Sequence, residues 1–489
     1  MHACELLALT DELIAHALGF LGADELAHTS CASRRLAGLA DDALVLACHE
    51  VRIPTVATWS ASRKLRYIEA RARAVKAAPA IAAGHTHCGF ILADGSTVVT
   101  HDGVAHAPQT DPSSSPNPSP SHAPCAAPRV RAPRLGQRRT SGSDDMPIAA
   151  VAAGDSFTII VTVDGEVFAW GEPSDGALGL GLDPDAGRVR APTSVAALSN
   201  ERVVGVAAGF SHALFVTASG DVFSAGWGHG GRLGHGNADS SALPRRVSAL
   251  AGGAAHVTAA FAGHSSDHSI VLDDEGRAWT FGAGRDGQLG HAARDASGAA
   301  LAPERVLGAL EALVVVGAAA GERHSLFLSS EGELFACGCA DDGRLGLGDG
   351  REGGVLQPER VRFLPAGGGE CARVVAVAAG ARHSAAVGED GGLWLWGELP
   401  AEWETAHADA EAAWGPVRVP SAPASRETVV VDRPRRCALL PPAVTAVAVS
   451  CGAGYTLVLG DDGNCYALGE PKAEDASSDG SEAEAVEVV

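Results

Sequence analysis

Glycine recurs in this chain with a nested spacing that few folds can accommodate. An apolar run ends in glycine seven times, at Gly84, Gly154, Gly209, Gly263, Gly321, Gly380 and Gly452, with gaps of 70, 55, 54, 58, 59 and 72 residues. A second glycine follows eleven residues later, at Gly95, Gly165, Gly220, Gly332, Gly391 and Gly463. In the fourth copy that gap is thirteen, to Gly276, because Gly263-His264-Ser265-Ser266-Asp267-His268 holds two extra residues. Six residues farther on comes a third glycine, at Gly171, Gly226, Gly282, Gly338, Gly397 and Gly469. Four copies then add Gly-x-Leu-Gly, at 176–179, 231–234, 287–290 and 343–346. Self-similarity at a period of about 55 residues marks an architecture in which each unit buries its apolar face against the next.

Each unit decodes into short strands. In the fifth copy, Val314 to Ala320 forms a buried strand stopped by Gly321, and His324 to Leu328 forms a second. Ser329-Ser330-Glu331-Gly332 makes a hairpin turn with glycine where φ must be positive. Glu333 to Cys337 follows as a third strand. Farther on, Pro358-Glu359-Arg360-Val361 matches Pro244-Arg245-Arg246-Val247 and Pro303-Glu304-Arg305-Val306. A proline suits an outer strand that needs no ladder N–H at that position. Four strands per unit is the size of a propeller blade, and seven units closed radially would leave only short, protected edges. The expected fold is an all-β, seven-bladed propeller with a small N-terminal all-α domain.

The rest of the 489 residues divides by texture. Residues 5–50 are rich in Leu and Ala at helical spacing: Thr10 can cap a helix whose stripe is Leu13, Ile14, Ala17, Leu18 and Leu21. Residues 51–78 read as a linker helix; its basic residues from Arg63 to Lys76 form a solvated face. The propeller takes 79–470, interrupted at 104–147 by a Ser/Pro-rich insertion whose composition predicts disorder, and 471–489 is an acidic tail of the same kind. Copy one has His101 and Gly103 in place of an aromatic-Gly pair. Copies six and seven lack Gly-x-Leu-Gly, and an irregular stretch runs from Glu398 to Pro442.

Charge and cysteine usage exclude several function classes. With 37 Lys and Arg against 59 Asp and Glu, the net charge is -22, so the surface repels phosphate and nucleic acid is not an expected partner. Eleven cysteines include no C-x-x-C pair, which fits reduced thiols in the cytoplasm or nucleus. Glu5, Asp11 and Glu12 rule out a signal peptide in the first twenty residues, and no apolar run is long enough to span a membrane.

The repeats VAAGFSHALFVTASGDVFSAGWGHGGRLGHG (206–236) and AAAGERHSLFLSSEGELFACGCADDGRLGLG (318–348) resemble those of the regulator of chromosome condensation (RCC) family. That resemblance implies a propeller that binds proteins. The segment LTDELIAHALGFLGADELAHTSCASRRLAGLADDALVLAC (9–48) is similar to an F-box, although Thr10 and Val45 stand where that motif has proline and tryptophan. The F-box resemblance implies that Leu9, Leu13, Ile14, Leu18, Leu21, Leu26 and Leu36 face a Skp-type adaptor of a cullin ubiquitin ligase.

Catalytic and metal chemistry find no support in the sequence. Of nineteen histidines, His87, His212, His324 and His383 recur three residues past the first glycine, with His268 in the shifted copy, which marks them as blade structure. His85, His87 and Cys88 alone do not make a zinc site. Gly226 to Gly231 is not at a strand-to-helix turn, so it is not a phosphate loop. Photoreceptors of the resembled family use clustered tryptophans; here the eight are scattered, and Trp170 and Trp396, like Phe281, occupy a repeated third-strand position.

The expected function is therefore a non-enzymatic substrate receptor of a Skp–cullin–F-box ligase, with no cofactor and no metal, binding an unidentified target protein. Trp227, Arg232, His235, Arg285 and Arg344 are the candidate target contacts on one rim, with loop support as their other role. The competing functions are guanine-nucleotide exchange on a Ran-like small GTPase and a scaffold without a ligase link.

Overall fold

A computed structural model describes residues 81–85, 87–91, 97–101, 104–105, 148–183, 186–252, 254–292, 298–348, 351, 353–363, 372–400, 428–437, 440 and 443–468. Their strands form antiparallel sheets, each a simple meander in chain order. Sheets 1 to 6 span residues 81–105, 148–194, 203–246, 257–305, 315–361 and 374–436 and have four strands each; sheet 7, residues 446–468, has three.

The expected fold is corrected on both of its parts. The propeller has six four-stranded blades, not the expected seven, and among the described residues the last sheet has three strands and no outer one. The reason lies in how the repeat is encoded. The three glycines delimit only the first three strands, and the fourth needs a separate proline-bearing segment, such as Ser241–Arg246 with Pro244. Residues after Leu468 lie outside those described. The N-terminal all-α domain also finds no support. Among the described residues there is no helix of seven residues or more, only three-residue 3-10 turns, and residues 5–78 lie outside those described.

The first strand of each sheet lies nearest the axis, against the first strands of its neighbours. There the chain uses small residues, as in Val203–Ala208 (VVGVAA) and Val315–Ala320 (VVGAAA), because neighbouring backbones converge. The second strands, such as His212–Thr217 and His324–Ser329, are buried along their whole length. Phe215, Phe281 and Phe327 are fully enclosed between sheets, and each such burial contributes about 2–3 kcal/mol. Sheet 7 meets sheet 1 directly. Ala83 N donates to Ser450 Oγ (3.0 Å), and the buried Tyr455 hydroxyl lies 3.0 Å from the Gly84 carbonyl oxygen and 2.9 Å from that of His87.

Two of the repeated glycines have distinct causes. At Gly332 φ is +77°, the left-handed conformation that the hairpin demands. At Gly321 the constraint is space: a Cβ there would lie 2.2 Å from His324 Cε1 and 2.6 Å from the Gly380 carbonyl oxygen.

Candidate protein-binding face

The recurrent histidines join one sheet to the next. His212 Nε2 meets Ser269 Oγ at 2.9 Å, His268 meets Ser325 at 2.7 Å, His324 meets Ser384 at 2.8 Å, and His383 meets Thr456 Oγ1 at 2.9 Å. Each of the three serines also donates its hydroxyl proton backward, to the carbonyl of Arg232 (2.8 Å), Gln288 (2.6 Å) or Arg344 (2.8 Å). A hydroxyl has one proton to give, so the imidazole must be the donor to serine, which fixes the Nε2–H neutral tautomer. Burial holds all four rings well below the ordinary histidine range, with His268 at about 3 and His383 at about 4. In sheet 2 the position is Phe157, which cannot donate, and its partner position in sheet 3 is accordingly Ala213. This hydrogen-bond circuit is structural and leaves none of these four histidines poised for acid–base chemistry.

The same serine contacts anchor the Gly-x-Leu-Gly loops, which therefore sit at the end of the ring where the first turns lie. These loops reach onto the next sheet's outer strand: Gly181 N donates to the Ala242 carbonyl, Gly236 N to Leu301 and Gly348 N to Asp432, each at 2.9 Å. The start of each loop is tied to the turn beside it, as where Trp227 N donates to the Ser211 carbonyl at 2.8 Å. From sheet 2 to sheet 6, this face of the ring is thus built of turns and loops hydrogen-bonded to their neighbours.

On that face the structure brings Trp227 and Arg232 together but separates them from the other candidates. The Arg232 guanidinium is buried 4.3 Å over the Trp227 ring, with Nη1 2.6 Å from Asp267 Oδ1 and Nε 2.9 Å from the His229 carbonyl. His229 stacks on Trp227 with ring centres 5.3 Å apart. Arg344 is buried in the equivalent loop of sheet 5, bonded to the carbonyls of Asp341 and Ala381 and to the Asp342 carboxylate. His235 is half-buried, 3.1 Å from Ser224 Oγ, as His291 is 2.9 Å from Thr280 Oγ1 one sheet later. Arg285 is exposed. Arg232, His235 and Arg344 therefore act on the loops, and Trp227 and Arg285 face outward. Leu9, Leu13, Ile14, Leu18, Leu21, Leu26 and Leu36 lie outside the described residues.

Sequence reading passed over Phe210, which is 40% exposed on the turn next to Trp227, because the position after the first glycine is not constant between copies. It also passed over the paired cations of the rim. Arg323 makes a two-pronged contact with Asp286 at 2.8 and 2.6 Å, and Arg382 meets Glu398 at 3.2 Å. Trp170 and Trp396 are buried in their blades, as expected, and Trp396 Nε1 donates to the Arg344 carbonyl.

A ring of four-stranded antiparallel sheets, tied by buried His–Ser contacts and presenting a face of fixed loops, defines a propeller of the protein-binding kind. The chain belongs to the RCC1-like domain family, whose model matches residues 50–432. It is 33% identical to the ultraviolet-B receptor UVR8 of Arabidopsis thaliana over 250 residues, 51% of this chain and 53% of that protein. It is 30% identical to the human regulator of chromosome condensation over 287 residues, 56% of this chain and 64% of that protein. The chain thus spans about half to two thirds of these relatives. Among solved structures, Prp20p from Saccharomyces cerevisiae matches with a TM-score of 0.58 at 21% identity, covering 78% of this chain and 81% of that one, which shows the shared fold. No helix among the described residues is long and apolar enough to cross a membrane.

Proposed function

We propose that this chain is a non-catalytic regulator that holds a partner protein on the face carrying Phe210, Trp227 and His229, and that the partner is a small GTPase of the Ran type. The supporting observation is the aromatic shelf itself. Trp227 is half-exposed and immobilised between Arg232 and His229, and the exposed Phe210 stands on the adjoining turn. Aromatic side chains locked before binding lose little entropy on association, which is why such groups dominate interface energies. The structure of Prp20p was described together with that protein's binding to Gsp1p and histones, and the likeness to the human regulator points the same way. The ligase-receptor reading draws no support from the fold or the relatives and is set aside.

The test is nucleotide release. Micromolar chain is added to a Ran-type GTPase loaded with fluorescent GDP. Accelerated release is expected, with Trp227→Ala and Phe210→Ala each lowering the effect at least tenfold while thermal unfolding is unchanged. No acceleration together with no measurable complex would reject the GTPase as partner.

A further inference from the structure

The outer strand of sheet 3 departs from its counterparts around one serine. It runs on as Pro244-Arg245-Arg246-Val247-Ser248, where sheets 4, 5 and 6 have Pro303-Glu304-Arg305-Val306-Leu307, Pro358-Glu359-Arg360-Val361-Arg362 and Pro434-Arg435-Arg436-Cys437-Ala438. The second residue after the proline has a structural duty. Arg246 pairs with Asp221 (2.5 Å), Arg360 with Glu333 (2.9 Å) and Arg436 with Asp390 (2.9 Å), each an acid of the hairpin between second and third strands. The first residue after the proline has no such duty in sheet 3. Arg245 stands where sheets 4 and 5 carry glutamate, it is exposed, and it meets no carboxylate among the described residues.

Ser248 likewise takes no part in the packing. Val247 and Leu250 are buried and pin the 3-10 turn Ser248–Leu250, which leaves Ser248 and Ala249 exposed. The Ser248 hydroxyl makes no hydrogen bond among the described residues, whereas Ser269, Ser325 and Ser384 each make two. The segment leading to it is extended. Ser241–Arg246 is a strand at the edge of its sheet, paired only with the third strand, and Val247 keeps φ −80° and ψ 95°. In a chain of net charge -22, Arg-Arg-x-Ser occurs only here and at Arg138-Arg139-Thr140-Ser141.

We infer that Ser248 is a phosphorylation site for a basophilic protein kinase, one whose substrate groove is lined with carboxylates. Such a groove takes an extended chain and reads it by charge, holding guanidinium groups two and three residues before the acceptor. Arg246 and Arg245 occupy those two places. Only Arg246 has to leave an ion pair, and that pair lies at the surface, where it contributes little. In the transfer, Ser248 Oγ bonds to the γ-phosphorus of magnesium ATP and the bond from that phosphorus to the β–γ bridging oxygen breaks. ADP leaves, and the hydroxyl proton passes to the kinase's catalytic aspartate. The product carries about −1.5 to −2 charges next to two arginines.

The test uses the full folded chain carrying Ser141→Ala, which silences the second Arg-Arg-x-Ser. This parent is incubated with the catalytic subunit of cyclic-AMP-dependent kinase and magnesium ATP, and phosphate is located by peptide mass mapping. Ser248 is expected to approach one phosphate per chain. Ser248→Ala should lose it and Arg245→Glu should slow it at least tenfold, both with the parent's thermal midpoint. Arg362→Glu, which alters an exposed arginine at the corresponding point of sheet 5, should be modified at the parent's rate. Absence of phosphate on Ser248 of the folded parent overturns the site, and so does an equal rate in parent and Arg245→Glu.

Discussion

Gly321 and Gly205 both belong to innermost segments, yet their surroundings differ. A Cβ at Gly321 would overlap His324 and the Gly380 carbonyl, while at Gly205 the nearest atom is Val216 Cβ at 3.8 Å. Gly321→Ala should therefore cost about 2–3 kcal/mol or more through overpacking. Gly205→Ala should be neutral or stabilise by up to about 1 kcal/mol, because alanine restricts the unfolded chain. Urea denaturation of the two variants measures both, and equal midpoints would refute the steric account. At this scale the sequence was legible where spacing is strict. The recurrence of His212, His324 and His383 identified them as structural. It could not reveal their partners, because Ser269, Ser325 and Ser384 sit some sixty residues downstream and only packing of adjacent sheets brings them within reach. For the same reason the burial of Arg232 and Arg344 was hidden: each guanidinium is held by a group from its own loop and by one from the next sheet.

Between elements, the serine that receives the imidazole carries two contacts at once. Ser325→Ala removes the acceptor for His268 and the donor for the Gln288 carbonyl. With about 1–3 kcal/mol for each buried group left unsatisfied, the expected loss is about 2–4 kcal/mol. Ser325→Thr should stay within about 1 kcal/mol of wild type, since Thr456 fills the same role for His383. Thermal unfolding of the pair checks this, and a threonine variant as damaged as the alanine one would show that shape, not the hydroxyl, matters. The strands were legible because glycine both ends them and turns them. The blade count was not, because the outer strand is encoded apart from the glycine rhythm. The outer strands of sheets 3 to 6 carry Pro244, Pro303, Pro358 and Pro434, and among the described residues sheet 7 has no counterpart. The helices expected over 5–78 rested on leucine spacing, a Thr10 cap and the F-box resemblance, and those residues lie outside the described ones.

For the ring as a whole, the buried histidines predict sensitivity to acid. Folding lowers the pKa of His212, His268, His324 and His383, so below about pH 6.5 the unfolded chain binds protons that the folded chain refuses. Stability is thus complete above pH 6.5 and falls as the pH drops toward 4. At pH 5 His268 and His383 each cost about 2 kcal/mol, His212 and His324 act in the same direction, and the loss is a sizeable part of the stability of an ordinary domain. Unfolding is expected between about pH 5.5 and 4, followed by tryptophan fluorescence. A urea midpoint unchanged from pH 7 to pH 4.5 would contradict it. Replacing His212 with phenylalanine and Ser269 with alanine, the pair that sheets 2 and 3 already use, should shift the acid midpoint downward.

The imidazole contacts all run forward along the chain, from each sheet to its successor. A ribosome therefore releases each of sheets 3 to 6 before the residue that its histidine holds has been made. A message cut short after sheet 3, 4, 5 or 6 yields a product whose last blade histidine faces water with nothing to hold, and whose first sheet still awaits Tyr455. Truncated copies should consequently be cleared as unfolded protein instead of persisting as smaller rings.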